Sequence, residues 1–518
     1  MTNRKKFIYN GILLTAVGLA IKTVNLFFGA FISREIGAEA LGLYTLIGTV
    51  YSFAITFATS GINLTVTRLV ASSVGEGKAD EIPCIMRNSV IYSLIFSGAS
   101  SLVLFFGSEY FALTVLKEAR AAVPLRILSA SLIPISLSAV ISGYFIGVRR
   151  IVRNSAVQVG AQVFKIFLTV FFVLKTAPYG VEYAVSALCI STSLTELIAF
   201  AIAFLQYIFE PKREKKPDYT SRFSDVTDMA LPLAFSTYIR SALLTVEHVL
   251  IPLCLRKKLN SESEALASYG LLHGMALPAV LYPMSPLSSF SGLLVPEFAE
   301  ELARGGSERL KRIAEKVIST TLIYSIPTSV FIYLFSEEIG YVMYSSYDAG
   351  FYIAVLAPVL PIMYLDHVTD AMLKGIGEQV YSMWVNISDS LLSVVLVWFL
   401  ISRLGIAGYA VVIIVMEAYN FILSLIRLKK RIKFRINVFR SLVFPLLAAL
   451  FSAIASDKIF DISGRLTTPL WLVLKIVFAV SLYLALYLFS NLVFNGKKRE
   501  TKEKCKNKRG KSLKNAKI

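Results

Sequence analysis

Apolar residues fall in runs of eighteen or more that recur from one end of the chain to the other, with polar residues gathered in the breaks between them. A run of that length crosses a hydrocarbon core of about 30 Å as a helix. The pattern predicts fourteen spans, at 7–32, 41–64, 89–107, 125–147, 158–175, 181–208, 229–253, 269–295, 317–335, 350–373, 382–402, 405–427, 440–456 and 468–494. Arg4, Lys5 and Lys6 precede the first run as they would in a secretory signal. That run is too long for a signal, is interrupted by Lys22 and Asn25 and leads directly into another span, so it reads as a retained first helix.

Composition strengthens this picture. With 56% hydrophobic residues, 17% charged residues and a mean hydropathy of +0.66, the 518-residue chain lies outside the range of water-soluble globular proteins. The formal charge of +19 raises nucleic acid as a partner, but the placement of the charge argues against it. Lys and Arg concentrate at both ends and in the loops after even-numbered spans, chiefly 212–222, 304–316, 427–440 and 497–517. That alternation is the positive-inside pattern and puts both termini in the cytoplasm of a cell-membrane protein. Arg256, Lys257 and Lys258 break it, because they fall in a loop predicted to be outside. The basic segments have no folded module to present them to nucleic acid, and near a membrane they face anionic lipid. The four cysteines, Cys84, Cys189, Cys254 and Cys505, form neither a disulfide framework nor a metal-binding spacing.

An internal repeat divides the spans. Lys22-Thr23-Val24-Asn25 leading to Arg34 aligns with Leu244-Thr245-Val246-Glu247 leading to Arg256, and the segment Val66 to Gly77 aligns with Val295 to Gly306. The expectation is an all-α polytopic membrane protein of about fourteen transmembrane helices, in two pseudo-symmetric six-helix lobes plus two C-terminal helices. Its parts are an N-terminal lobe at 1–208, a cytoplasmic linker at 209–228, a C-terminal lobe at 229–428, the last two helices with their basic loop at 429–494, and a disordered basic tail at 495–518.

Charges inside the apolar runs carry the functional signal, since a Lys, Arg or Asp at a helix centre costs roughly 2.5–3.5 kcal/mol unless it faces a partner or water. Lys22, Lys165 and Arg240 lie near mid-span, and Glu247 and His248 follow Arg240 by about two turns. Convergence of the three cations would make a positive cavity. The bland alternative is internal pairing; Arg240 and Glu247 are seven residues apart, which is wrong for a bond within one helix, and a pair between helices stays open. Arg126 and Lys475 sit near helix ends, where snorkelling accounts for them. Asp366 and Asp370 share a helix face with His367 between them, and two such carboxylates can share a proton or hold a cation. The segment also lies close to the cytoplasmic edge, and both readings stay open. His248, His273 and His367 all fall within spans, either as a proton route or as buried histidines bonded to neighbours. Prolines crowd the seventh and eighth spans, which are expected to bend. The sequence holds no phosphate-binding glycine loop, zinc spacing or nucleophile elbow, so no enzyme, cofactor or metal is expected, and any coupling comes from an ion, H+ or Na+, or from the membrane potential.

Gly11 to Ala16, Phe31 to Tyr44, and Gly61-Ile62-Asn63 through Arg68 resemble the polysaccharide transporter family, in its stage V sporulation protein B and lipid II flippase branch. This family lies within the multidrug, oligosaccharidyl-lipid and polysaccharide exporter superfamily. The resemblance implies two lobes alternating between inward- and outward-open states, a lipid-linked anionic oligosaccharide as substrate and membrane lipids as surroundings. It also implies a central cavity where basic residues hold a pyrophosphate, and Lys22, Arg68 and Arg240 match that role, joined by Lys165 on the reading of mid-span charge. Arg68 lies near the cytoplasmic end of its helix, where positive-inside bias explains it equally well. Two rivals are a cation-coupled drug exporter of the same superfamily and a non-transporting scaffold for cell-wall synthesis. A basic cavity disfavours the first, because it repels cationic drugs.

Overall fold

The computed structural model describes residues 3–76, 78–210, 223–304, 306–434, 437–461 and 468–490. Most of the linker expected at 209–228 and the whole tail at 495–518 lie outside the described residues. Among the described residues the architecture is helical, with twelve helices long and apolar enough to cross a membrane, or thirteen when one bent pair counts as a single span.

The chain separates into two compact units, Met1–Gly305 with Asp366–Arg431, and Gly306–Leu365 with Ile432–Ile518. The first unit begins with α1 (Asn3–Thr59), followed by α2 (Ile62–Gly75) and α3 (Ile82–Phe106). Next come α4 (Ala122–Ser129), α5 (Leu132–Gly147), α6 (Ile151–Thr176), α7 (Val181–Ile208) and α8 (Phe223–Leu259). It continues through α9 (Glu262–Tyr269) and α10 (Ser285–Ala303). In the second unit lie α11 (Ser307–Leu334), α12 (Ser336–Tyr344) and α13 (Tyr347–Leu356). The chain re-enters the first unit within α14 (Leu360–Gly375), runs through α15 (Gln379–Leu396) and α16 (Ile406–Ile432), and ends in the second unit with α17 (Phe444–Asp461) and α18 (Pro469–Ser490).

Local sequence explains the breaks. Two spans expected at 7–32 and 41–64 form one helical run in α1, interrupted at Gly37, whose φ of 78° and ψ of 172° few side chains tolerate. The helical path also extends past residue 64 to Gly75, after a corner at Ser60 and Gly61 with φ of 43° and 71°. Ser60 is held there by the Tyr92 hydroxyl at 2.7 Å and the Tyr238 hydroxyl at 2.5 Å. The span expected at 125–147 bends by 44° between α4 and α5. Pro134 accounts for it, because proline has no N–H to give the Ala130 carbonyl four residues earlier. Prolines act unequally in the next region. Pro232 and Pro252 sit inside an uninterrupted α8, whereas the span holding Pro278, Pro283 and Pro286 is divided between α9 and α10 by a π-helical turn at Gly270–Ala276, a short helix at Leu277–Leu281 and a 3-10 turn at Tyr282–Met284.

Within the first unit, small hydroxyls tie the apolar helices together. Ser93 and Ser136 meet at 2.5 Å, Ser136 donates to the Ala58 carbonyl at 2.8 Å, and Ser100 donates to the Ala54 carbonyl at 2.9 Å. Such bonds replace the hydrophobic drive that is missing between helices already in lipid. One core packs Ile62, Val66 and Val70 of α2 against Ile85, Met86 and Tyr92 of α3 and Val140 of α5. In the second unit, Val330 and Phe331 of α11 pack with Phe335, with Ala448 to Ala453 of α17 and with Ala479 and Tyr483 of α18. Lys475 is no snorkelling residue. It bridges Glu338 and Asp457, at 2.6 Å each, and its side chain is only 11% exposed.

Candidate functional site

At the predicted outer end of the first unit, loops far apart in sequence form a charged knot. Glu118, with a side chain 3% exposed, accepts from Arg120 at 2.7 Å and from Arg256 at 2.8 Å. Arg120 reaches on to Glu39 at 2.9 Å, and the other Glu39 oxygen accepts from Ser263 at 2.6 Å. Arg256 also donates to the Lys117 carbonyl at 2.6 Å and pairs with Glu262 at 3.1 Å. The arginine that broke the positive-inside pattern is therefore bound to acidic residues. Beneath the knot, α1 and the start of the α9 segment approach backbone to backbone. A Cβ on Gly42 would stand 1.9 Å from the Leu266 carbonyl oxygen, and one on Gly270 would stand 2.1 Å from the Ala38 carbonyl oxygen. Only glycine fits at either position.

Deeper in the unit, the mid-span charges sort into groups. Lys22 is exposed on α1, and Arg240 is exposed on α8. Arg240 lies within electrostatic reach of Asp366 and Asp389, and Lys22 within reach of His367. Two of the four expected cations thus come to adjacent residues of α14, and neither makes an ion pair among the described residues. The segment carrying Lys22 is itself tethered. Thr23 meets the Tyr282 hydroxyl at 2.7 Å, and Asn25 accepts from Gln162 at 2.8 Å. Arg68 is exposed on α2 and makes no hydrogen bond or ion pair with this group among the described residues.

Asp366 and Asp370 have different surroundings despite their shared helix face. Asp370 pairs with Lys374 at 2.5 Å and accepts from Ser382. Asp366 has a carboxylate oxygen buried without a hydrogen-bond partner, as does Asp389 of α15. Glu417 of α16 lies within electrostatic reach of both. Glu247 lies beside Ser393, and His248 shares a hydrogen bond of 3.1 Å with the Tyr269 hydroxyl. His273 meets His248 edge to face, with ring centroids 4.7 Å apart and planes at 66°, and its Nε2 is buried and unbonded. The acidic partners Asp389 and Glu417 escaped the sequence reading. Each is a single carboxylate within an apolar run, the same signal that exposed Lys22 and Arg240.

Lys165 lies on α6, where Gln162, one turn away, bonds to Asn25 of the Lys22 segment. It lines a cavity of about 420 Å³ bounded by α1, α2, α5, α6 and α7, where its charged neighbour is Glu196.

Residues 7–302 match the family model described as polysaccharide biosynthesis protein, and residues 258–399 match the MatE model. The chain is similar to stage V sporulation protein B of Bacillus subtilis, with 25% identity over 425 residues that cover 79% of this chain and 81% of the relative. It is also similar to sporulation protein YkvU of the same organism, 19% identical over 378 residues, 72% of this chain and 83% of the relative. Among solved structures, the lipid II flippase MurJ in an inward closed conformation superposes with a TM-score of 0.69 at 14% identity, covering 93% of this chain and all of that one. An inward-facing multidrug resistance transporter of the MATE family gives 0.64 at 18% identity, covering 81% and 99%. At these identities the structural likeness speaks for the fold.

Proposed function

The chain belongs to the polysaccharide biosynthesis protein family, in the superfamily that also holds the MATE transporters, and from that premise we propose that it is an alternating-access flippase for a polyprenyl-pyrophosphate-linked oligosaccharide. It is a multi-pass bacterial membrane transporter, not an enzyme, related to sporulation proteins and to polysaccharide export. In the proposed topology, Gly18–Gly75 crosses twice and the bent pair α4 and α5 once, giving fourteen passages in two lobes with both termini cytoplasmic.

One observation carries the reading: Lys22 and Arg240 are exposed in mid-helix and make no ion pair among the described residues. A bare cation in hydrocarbon is costly, so these two face water and are open to an anionic ligand. Arginine suits phosphate because its planar fork donates two parallel hydrogen bonds, and lysine adds a mobile point charge. In this reading the state is closed at the outer end, where the Glu118 knot and the Gly42–Gly270 contact seal the first unit. An inside-negative potential then favours outward movement of the anion by about 2.3 kcal/mol per charge per 100 mV. Glu247, His248, Asp366 and Asp370 remain the candidates for H+ or Na+ coupling, with Asp389 and Glu417 added. Arg68 stays a candidate for the pyrophosphate at the cytoplasmic mouth.

The carboxylates near Arg240 favour a second reading, a cation-coupled drug exporter. Proteoliposomes separate the two. Outward movement of a fluorescent polyprenyl-pyrophosphate sugar should fall at least tenfold in Arg240→Ala and Lys22→Ala while folding stays intact. Normal movement in both variants removes the cationic site. Efflux of a fluorescent organic cation with no movement of the lipid moves the assignment to the exporter.

A further inference from the structure

The cavity lined by Lys165 and Glu196 has features that a pyrophosphate site does not need. Its two charges are opposite, sit on neighbouring helices α6 and α7, and feel each other, yet they form neither an ion pair nor a hydrogen bond among the described residues. In a medium of low polarity, a direct bridge would be the cheapest arrangement of an empty pair. Here the pair stays unbridged in the lining of one open space of about 420 Å³, within the range of sites that enclose small molecules.

The rest of the lining divides in two. Asn63 is committed to the Ala139 carbonyl at 3.0 Å, Gln162 to Asn25 at 2.8 Å and Thr195 to the Ser191 carbonyl at 2.7 Å. Asn154 and Gln158 lie on the Lys165 face of α6 and make no hydrogen bond among the described residues, and the Ser138 hydroxyl is buried without a partner. The walls thus offer one cation, one anion and several free neutral groups. A neutral sugar in this space would strip water from both charges without neutralising either. A simple anion would satisfy Lys165 and leave Glu196 stranded, and a simple cation would do the reverse.

We propose that this cavity is a binding site for a zwitterionic amino-acid group, whose carboxylate is held by Lys165 and whose ammonium is held by Glu196, with Ser138 and the free amides orienting it. The group is either a free amino acid or part of the transported head group. The proposal rests on the charges of this cavity, Lys165 and Glu196, and does not depend on the pyrophosphate reading.

The test uses the purified full chain. Alanine is titrated by calorimetry and compared with acetate, methylammonium and glucose at equal concentration. Saturable binding of alanine alone is expected, with at least a tenfold loss of affinity in Lys165→Met and in Glu196→Gln. Either single variant leaves a charge unpaired, which burdens folding, so the exchanged double variant Lys165→Glu with Glu196→Lys is measured beside them. It keeps both charges and should keep alanine binding with the ligand reversed. Absence of alanine binding by the wild type, equal binding of glucose or acetate, or unchanged affinity in the single variants overturns the proposal. A second arm separates the sources. If the group travels on the substrate, excess alanine slows a lipid-linked probe bearing a free amino-acid group and spares one bearing sugar alone. If the amino acid acts as a free solute, alanine affects both probes equally.

Discussion

Arg256→Met is expected to unlatch the outer end of the first unit. The Arg256 guanidinium donates to Glu118 at 2.8 Å and to the Lys117 carbonyl at 2.6 Å, and its side chain is 11% exposed, so water replaces little of what the variant loses. Each charge-assisted bond contributes about 1.5–3 kcal/mol. Glu118 keeps Arg120 at 2.7 Å in the variant, so the carboxylate is not stranded and the penalty of about 3–5 kcal/mol for breaking a buried pair does not apply in full. A net loss of about 2 kcal/mol to the closed arrangement follows, roughly a 30-fold rise in the ratio of open to closed. Methionine retains the apolar stem, so packing changes little. The assay places spin labels on cysteines replacing Glu35 and Leu259, both exposed near this end, in a chain freed of Cys84, Cys189, Cys254 and Cys505. Wild type should give one short distance, and Arg256→Met should add a longer population of comparable or greater size. A distance distribution unchanged by the substitution, in a variant that elutes as a single species, refutes the latch.

Three further outcomes are expected. Gly270→Ala forces a Cβ to within 2.1 Å of the Ala38 carbonyl oxygen. It should cost the closed state about 1–3 kcal/mol and lengthen the same spin-label distance, without lowering the amount of folded protein. Glu378 lies in the loop between α14 and α15. Hydrogen bonds from Arg427 first and Arg431 second hold its carboxyl below the usual glutamate range. Its folded value is therefore the lower one, so its stabilisation is complete above the unfolded pKa of about 4.3 and disappears as pH falls through the folded value. Thermal unfolding in detergent should show Glu378→Gln less stable than wild type at neutral pH and equal to it at low pH. Lys475→Met removes the bridge to Glu338 and Asp457 but leaves two carboxylates that reach water, so a loss of about 1–2 kcal/mol is expected in thermal unfolding, with no change in lipid movement.

Legibility in the sequence followed the range of the interactions. Helix existence could be read, because burying a backbone in lipid requires a long unbroken apolar run whatever its neighbours are. Helix breaks could be read only in part. Pro134 bends its span and the prolines from Pro278 onward divide theirs, whereas Pro232 and Pro252 lie inside an uninterrupted α8. Proline removes one hydrogen bond in every case, and the surrounding packing decides whether the helix gives way.

The candidate site shows the same boundary. The sequence by itself determined that Lys22, Lys165, Arg240, Glu247 and Asp366 are anomalous, since a charge in an apolar run is costly on any fold. It could not determine which charges meet, because residues 240, 366 and 389 become neighbours only when α8, α14 and α15 pack. Spacing put Asp366 and Asp370 on one helix face and Lys374 one turn beyond Asp370, whereas only tertiary structure brought Ser382 of α15 to Asp370. Arg256 was an exception to a charge rule until Glu118, 138 positions away, was found against it. The cost of an isolated charge is local and legible along the chain, whereas the partner that relieves it is chosen by contacts between segments that only the folded protein brings together.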